Sequence, residues 1–165
     1  MNSEEAKKPG KLPSARERKS SFTNPKLAAI DDALTELHPC LLEFGRAHDF
    51  SLGRCHEGSF DVPRRWLSRQ PRGLPGIQHE IGLGLSLPMA ERLERGFFPE
   101  IPCTLSISAN DTESRMHYHA TIFEAQPFCS LRDSLPGHLL DAAARLDTCT
   151  RDFISQQGFL APPVW

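Results

Sequence analysis

From Ile77 to Ala125 the chain repeatedly alternates apolar and polar residues, and no other feature restricts its fold as strongly. In the first run Ile77, Ile81, Leu83, Leu85 and Leu87 fall at odd positions, with Gln78, Glu80, Gly82, Gly84 and Ser86 between them. His79 shares the apolar parity. A second run sets Ile101, Cys103, Leu105, Ile107 and Ala109 against Thr104, Ser106 and Ser108. A third sets Met116, Tyr118, Ala120 and Ile122 against His117, His119, Thr121 and Phe123. A period of two places each set on one face of a strand, so the stretch predicts an antiparallel sheet with one dry and one wet face. The dry faces of the second and third runs coincide when Ile107 lies opposite Tyr118, Leu105 opposite Ala120 and Cys103 opposite Ile122. That register leaves Asp111 to Ser114 as the hairpin loop and pairs Ser106 with His119 and Ser108 with His117.

Two helical patterns flank these runs. Asn24-Pro25 reads as an N-cap followed by proline at the first helical position. Leu27, Ile30, Leu34, Leu37, Leu41 and Phe44 then recur at steps of three and four. Pro39 is expected to kink or interrupt this helix and Gly45 to stop it. A second stripe, Leu139, Ala143, Leu146, Cys149, Phe153 and Ile154, lies in a segment that opens near Ser130. Pro136-Gly137 is expected to interrupt that segment and Gly158 to end it. Between the helices, Phe50 and Leu52, then Phe60 and Val62, suggest two weak strands, and Met89 to Arg95 a short helix. The order predicts an α+β fold: a single-domain two-layer sandwich, with an antiparallel sheet of about 4–5 strands and the N-terminal and long C-terminal helices packed on one face.

Charge divides the chain in two. Residues 1–23 hold six Lys or Arg against three Glu, a net of +3; with -2 for the whole chain, residues 24–165 carry -5. The first segment offers little to bury and is expected to be a disordered basic tail ahead of one domain over 24–165. An acidic body is a poor match for nucleic acid. The five cysteines are odd in number and include no C-x-x-C, which does not describe a disulfide framework. The N-terminus lacks the apolar core of a signal peptide, and no apolar run approaches the roughly 20 residues needed to span a bilayer. The expectation is a cytoplasmic protein without a membrane anchor.

Two constellations carry the candidate chemistry. Arg64, Arg65, Trp66, Arg69 and Arg72 set four cations and an indole within nine residues of an otherwise acidic body. Solvated guanidinium groups around a tryptophan suit an acidic or phosphorylated partner, with Trp66 as the anchor. In that arrangement, replacing Arg64, Arg65 and Arg69 by serine is expected to spare stability. The competing arrangement packs Trp66 and Leu67 under the sheet edge and pairs the arginines with acidic residues of the body. His117 and His119 form an H-x-H pair whose imidazoles share one strand face, and Glu80 is the third group able to reach that face from a neighbouring strand. Glu124 follows at a spacing that partly matches the first metal motif of cupins, but the bracketing glycines and the second motif are absent. There is no G-x-S-x-G, no phosphate-cradling glycine loop and no H-E-x-x-H.

The order of elements is similar to that of the small secretion-chaperone fold. That likeness implies a dimeric α+β sandwich that binds extended client segments. Together these readings favour a non-enzymatic protein-binding module without a cofactor: an adaptor, client-binding or neutralising protein acting through its sheet face or through residues 64–72. Its expected partner is another protein, and a homodimer is compatible with the pattern. The contrasting class is a small metal-dependent enzyme or metal-binding protein built on His117, His119 and Glu80.

Overall fold

The computed structural model describes residues 20, 22–54, 63–85, 102–113 and 115–160. The expected strand at Phe60 and Val62, the short helix from Met89 to Arg95 and nearly all of the basic tail fall outside these residues. Phe22, however, is buried, and its backbone N–H bonds the Ser20 hydroxyl at 3.1 Å, so the packed structure begins ahead of Asn24.

Helix α1 spans Pro25–Glu36, and the Asn24 side chain accepts the Lys26 N–H at 2.9 Å as its cap. Helix α2, His38–His48, follows after Leu37 alone. Pro39 sits in its first turn, where a missing N–H costs nothing, so the expected helix is interrupted at Leu37 and restarts as a second one. Gly45 lies inside α2, and the left-handed cap falls to Asp49, with φ 60°. Gly45 serves close approach: a Cβ there would lie 2.6 Å from the Phe50 carbonyl oxygen.

Five antiparallel strands follow in simple meander order: β1 Ser51–Arg54, β2 Arg64–Arg69, β3 Ile77–Leu85, β4 Pro102–Asp111 and β5 His117–Pro127. The Arg/Trp segment is itself a central strand. Its period of two is disguised because two of its three inward residues, Arg65 and Arg69, are arginines flanking Leu67. Strands β3 and β4 pair as their alternation demands, with Ile81 opposite Ile107 and Leu83 opposite Leu105. The β4–β5 hairpin is set two residues further along than expected: Ile107 lies opposite Ala120, Ala109 opposite Tyr118 and Ser108 opposite His119. A shift of two preserves the faces. The loop moves with it, because Asp111 continues β4 and its N–H bonds the Met116 carbonyl at 2.9 Å, while Arg115 takes the left-handed turn position at φ 59°. Extra residues bulge from β5 beyond Thr121.

Helix α3 runs unbroken over Phe128–Leu160, through both Pro136 and Gly158. Pro136 is exposed, so water can serve the carbonyl left without an N–H one turn earlier. Leu131, Leu135, Leu139, Ala142, Leu146 and Phe153 point into the core. Helix α3 packs mainly on β4 with β5 and β3 to either side, α1 on β2 and α2 on β1. All three described helices therefore cover one face of the sheet, over Leu67, Ile81, Leu105 and Ile107. This is the α+β sandwich that the alternation implied. No described helix is long and apolar enough to cross a membrane.

The faces make a direct prediction for urea unfolding. Leu105→Ala and Ile107→Ala each cost about 2–4 kcal/mol, because both side chains are fully enclosed. Ser106→Ala, on the opposite face, stays within about 0.5 kcal/mol. A reversed ranking would invert the assignment of faces.

Candidate functional site

Alternation along β2 sorts the Arg/Trp segment into two groups that do different things. Arg65, Leu67 and Arg69 face the helices; Arg64, Trp66 and Ser68 face away. Arg72 lies beyond the strand in the following turn, 92% exposed and 3.8 Å from Asp49.

Arg65 is 1% exposed and serves the core. One terminal nitrogen lies 2.8 Å from Asp31 Oδ1 and donates to the Arg64 carbonyl at 3.1 Å. The other donates to the Asp31 carbonyl at 3.0 Å and to the Thr35 hydroxyl at 3.1 Å. Its Nε donates to His38 Nε2 at 2.7 Å. Arg54, beside Arg65 on β1, brings a second guanidinium to Asp31 Oδ2 at 2.5 Å. Burial alone would raise the Asp31 pKa; hydrogen bonds from Arg54, Ser20 and Arg65, with the Arg65 charge, outweigh it and hold the carboxyl below its usual range. His38 is pushed down to about 4, first by burial and then by the charges of Arg65 and Arg54, with Asp31 opposing. An arginine only donates, so His38 is neutral and carries its proton on Nδ1.

Arg69 repeats the arrangement with different partners. Its Nε donates to His79 Nδ1 at 3.1 Å, Nη1 to the His48 carbonyl at 3.0 Å, and Nη2 to Asp147 at 2.7 Å. Its guanidinium also lies 4.3 Å from the centre of the Phe50 ring. His79 therefore carries its proton on Nε2 and donates it to the Thr150 hydroxyl at 2.6 Å, which in turn donates to the Leu146 carbonyl at 2.9 Å. Burial first, then Arg69, pushes His79 down to about 4, with Asp147 opposing.

The open face is built differently. Gly53, Trp66, Gly82, Ser106 and Thr121 form one row across all five strands. The Trp66 indole spreads over Gly53, where a Cβ would overlap the ring. Arg64 sits 5.7 Å from the Trp66 ring centre and 3.4 Å from Glu80. The next row is Ser51, Ser68, Glu80, Ser108 and His119, so Ser108 separates Glu80 from His119. His117 hydrogen-bonds the Asn110 side chain. The three metal candidates thus share a face without converging, and no three His, Cys, Asp or Glu among the described residues group closely enough to hold a metal ion. Burial pushes the Cys103 thiol up to about 12 and raises Cys149, so neither is a ready nucleophile.

The functional candidates from the sequence therefore divide: Arg64 and Trp66 come together with Glu80 on the open face, Arg65 and Arg69 are internal, and Arg72 stands apart. Sequence reasoning missed Asp31, Arg54, His38 and Thr150. Asp31 carried a readable signal, since it stands four residues after Leu27 and three before Leu34, inside the apolar stripe. No family model, curated protein or solved structure matches the chain. The likeness to secretion chaperones accordingly rests on element order alone.

The internal arginines are tested by denaturation. Arg65→Ala leaves Asp31 short of a partner in the core and lowers stability by about 3–5 kcal/mol, while Arg64→Ala stays within about 0.5 kcal/mol; chemical denaturation separates the two. The expectation that serines in place of Arg64, Arg65 and Arg69 would spare stability is thereby replaced.

The neighbouring histidines make stability depend on pH. His38 and His79 titrate near 4 when folded and near 6.5 when unfolded, so between these values the unfolded chain binds protons that the folded chain refuses. Stability is then complete above pH 6.5 and falls toward pH 4, by up to about 1.4 kcal/mol per pH unit for each histidine. His79→Gln, which keeps an acceptor for Arg69, should flatten the dependence by close to one proton. An unchanged slope would mean that folded His79 is charged.

Proposed function

We propose that this chain is a non-enzymatic protein-binding module that engages its partner through the open face of its sheet, with Trp66 and Arg64 at the centre. The observation that supports this most is the asymmetry of the sheet. Its described helices all lie on one face, and the other face is paved with Gly53, Gly82, Gly84, Thr104, Ser106 and Ser108 around Trp66. Small side chains leave the pleat shallow and let a partner segment approach the backbone. Trp66 supplies the large rigid apolar contact typical of binding hot spots, and Arg64 a guanidinium beside it. Of the sequence-predicted binding residues, Arg64 and Trp66 hold that role here, and Arg72, beside Asp49 in the turn after β2, lies outside it. Arg65 and Arg69 act indirectly, by fixing the strand that presents the other two.

The partner we propose is a protein, because the body carries -5 once the first 23 residues are set aside, a net charge that disfavours nucleic acid. A cytoplasmic setting is part of the same proposal. A photo-crosslinking residue at Ser68, on the open face and away from the β5 edge, should trap the partner in cells, and the same residue at Asp133, on α3, should not. With the trapped partner purified, Trp66→Ala is expected to weaken binding about tenfold or more while the melting temperature holds. Equal crosslinking from both positions, or full affinity in Trp66→Ala, would reject the open face as the site.

A further inference from the structure

Strand β5 stands at one edge of the described sheet, and its backbone is arranged to accept another strand. The bond from Asp111 N–H to the Met116 carbonyl makes those two a hydrogen-bonded pair. Antiparallel pairs alternate, so Tyr118 and Ala120, opposite Ala109 and Ile107, also bond inward to β4. His117, His119 and Thr121 consequently turn their N–H and C=O groups outward. From His117 to Thr121 there is no Lys, Arg, Asp, Glu or Pro, the residues that usually blunt an exposed edge. The opposite edge, β1, has only four residues, and Arg54 at its end is drawn in to Asp31.

We infer that β5 pairs antiparallel with β5 of a second copy of this chain, about a two-fold axis at His119. This is the one register in which all three outward residues meet one another. His119 lies opposite the partner's His119 and His117 opposite the partner's Thr121, giving about six backbone hydrogen bonds at two per pair. The same register is self-complementary on the helix side, where Tyr118 meets the partner's Ala120, large against small. Beneath Tyr118 lies a groove of about 370 Å³ lined by Ala144, Arg145, Thr148, Asp152 and Phe153.

Charge agrees with the same partner. Helix α3 runs antiparallel to β5: Phe123 meets His138 at a ring separation of 4.7 Å, and Tyr118 meets residues 144–153. Around the axis the two α3 helices also run antiparallel, so Arg145 of each, which pairs with Asp141 on its own helix at 3.1 Å, lies across from the stretch that holds the partner's Asp152. Because α3 sits mainly over β4, the helices stand about three strand spacings apart, roughly 14 Å. That exceeds the ~10 Å of close helix packing, so the backbones do not collide and the long charged side chains span the gap.

Sedimentation of the full chain should therefore give a dimer. His119→Lys, which sets two ammonium groups against each other at the axis, and Thr121→Pro, which removes an outward N–H, should each raise the dissociation constant about tenfold or more with circular dichroism unchanged. Ser51→Lys on the β1 edge and Trp66→Ala on the open face should leave the dimer intact, which keeps this test separate from the proposed function. Oxidised His119→Cys should form one disulfide between the two copies at that position, since Cα atoms of such a pair lie about 5.5 Å apart. A monomeric wild-type chain, a dimer indifferent to both edge substitutions, or a His119→Cys chain that fails to crosslink would overturn the inference.

Discussion

The Asp31–Arg65 pair fixes how the helix layer sits on the sheet. Asp31 is fully enclosed, and a carboxylate in that position is tolerated only when its partners are at hydrogen-bond distance and correctly aimed. Two guanidinium groups, from β1 and β2, lie against it: Arg54 hydrogen-bonds Oδ2 at 2.5 Å, and Arg65 stands 2.8 Å from Oδ1 as an ion pair. Helix α1 must therefore turn Asp31 toward the sheet, and that rotation carries Ile30 and Leu34 into the core with it. Apolar packing alone would tolerate several rotations of an amphipathic helix. A buried ion pair with five defined contacts on the Arg65 side admits few.

Strand β2 extends the same device to all three helices. Arg65 holds α1 through Asp31 and Thr35, and reaches α2 through His38. Arg69, four residues on, holds the C-terminal end of α2 through the His48 carbonyl and α3 through Asp147. A cation at a helix C-terminus is also favoured by the helix dipole. Each guanidinium takes a neutral imidazole as an additional acceptor, but through different nitrogens: His38 accepts at Nε2 and His79 at Nδ1. Burial first, and then the adjoining guanidinium charge, makes both histidines resist protonation, so these contacts between the layers are kept at neutral pH.

The residues that were legible in the sequence are those whose chemistry agrees with their position. Ile81, Leu83, Leu105 and Ile107 are of this kind: apolar side chains at period two marked β3, β4 and their shared dry face. Asn24-Pro25 marked the start of α1 for the same reason, since cap chemistry is local. Near the turn the hairpin register was legible to within two residues, because a shift of two leaves every side chain on its face; beyond Thr121 the bulges set Leu105 opposite Phe123 and Cys103 opposite Gln126, which no alternation records. Strand β2 was illegible as a strand because arginines occupy two of its three inward positions. Those arginines become inward residues only through Asp31, His79 and Asp147, which lie 34, 10 and 78 residues away in sequence. No local pattern records such pairings. Of the candidate site, Trp66 and Arg64 were visible as residue types, but their separation from Arg65 and Arg69 was not.

The same separation shapes the outer surface. Once Arg65 and Arg69 satisfy the core, the period of two leaves β2 with Arg64, Trp66 and Ser68 on its far side. Trp66 then needs space on a sheet already crowded by neighbouring strands, and Gly53 provides it on one side while Gly82 lies on the other. Glycine weakens a strand by roughly 0.5–1 kcal/mol relative to alanine. At Gly53 that cost leaves room for the indole to lie against the sheet, while Gly82 and Gly84 leave room for the Arg64 side chain beside it. A flat, rigidly held ring loses little conformational entropy when a partner covers it, which is the property that makes tryptophan an effective anchor. The buried arginines and the open tryptophan are thus two sides of one strand: the first set holds it still, and the second benefits from its being held.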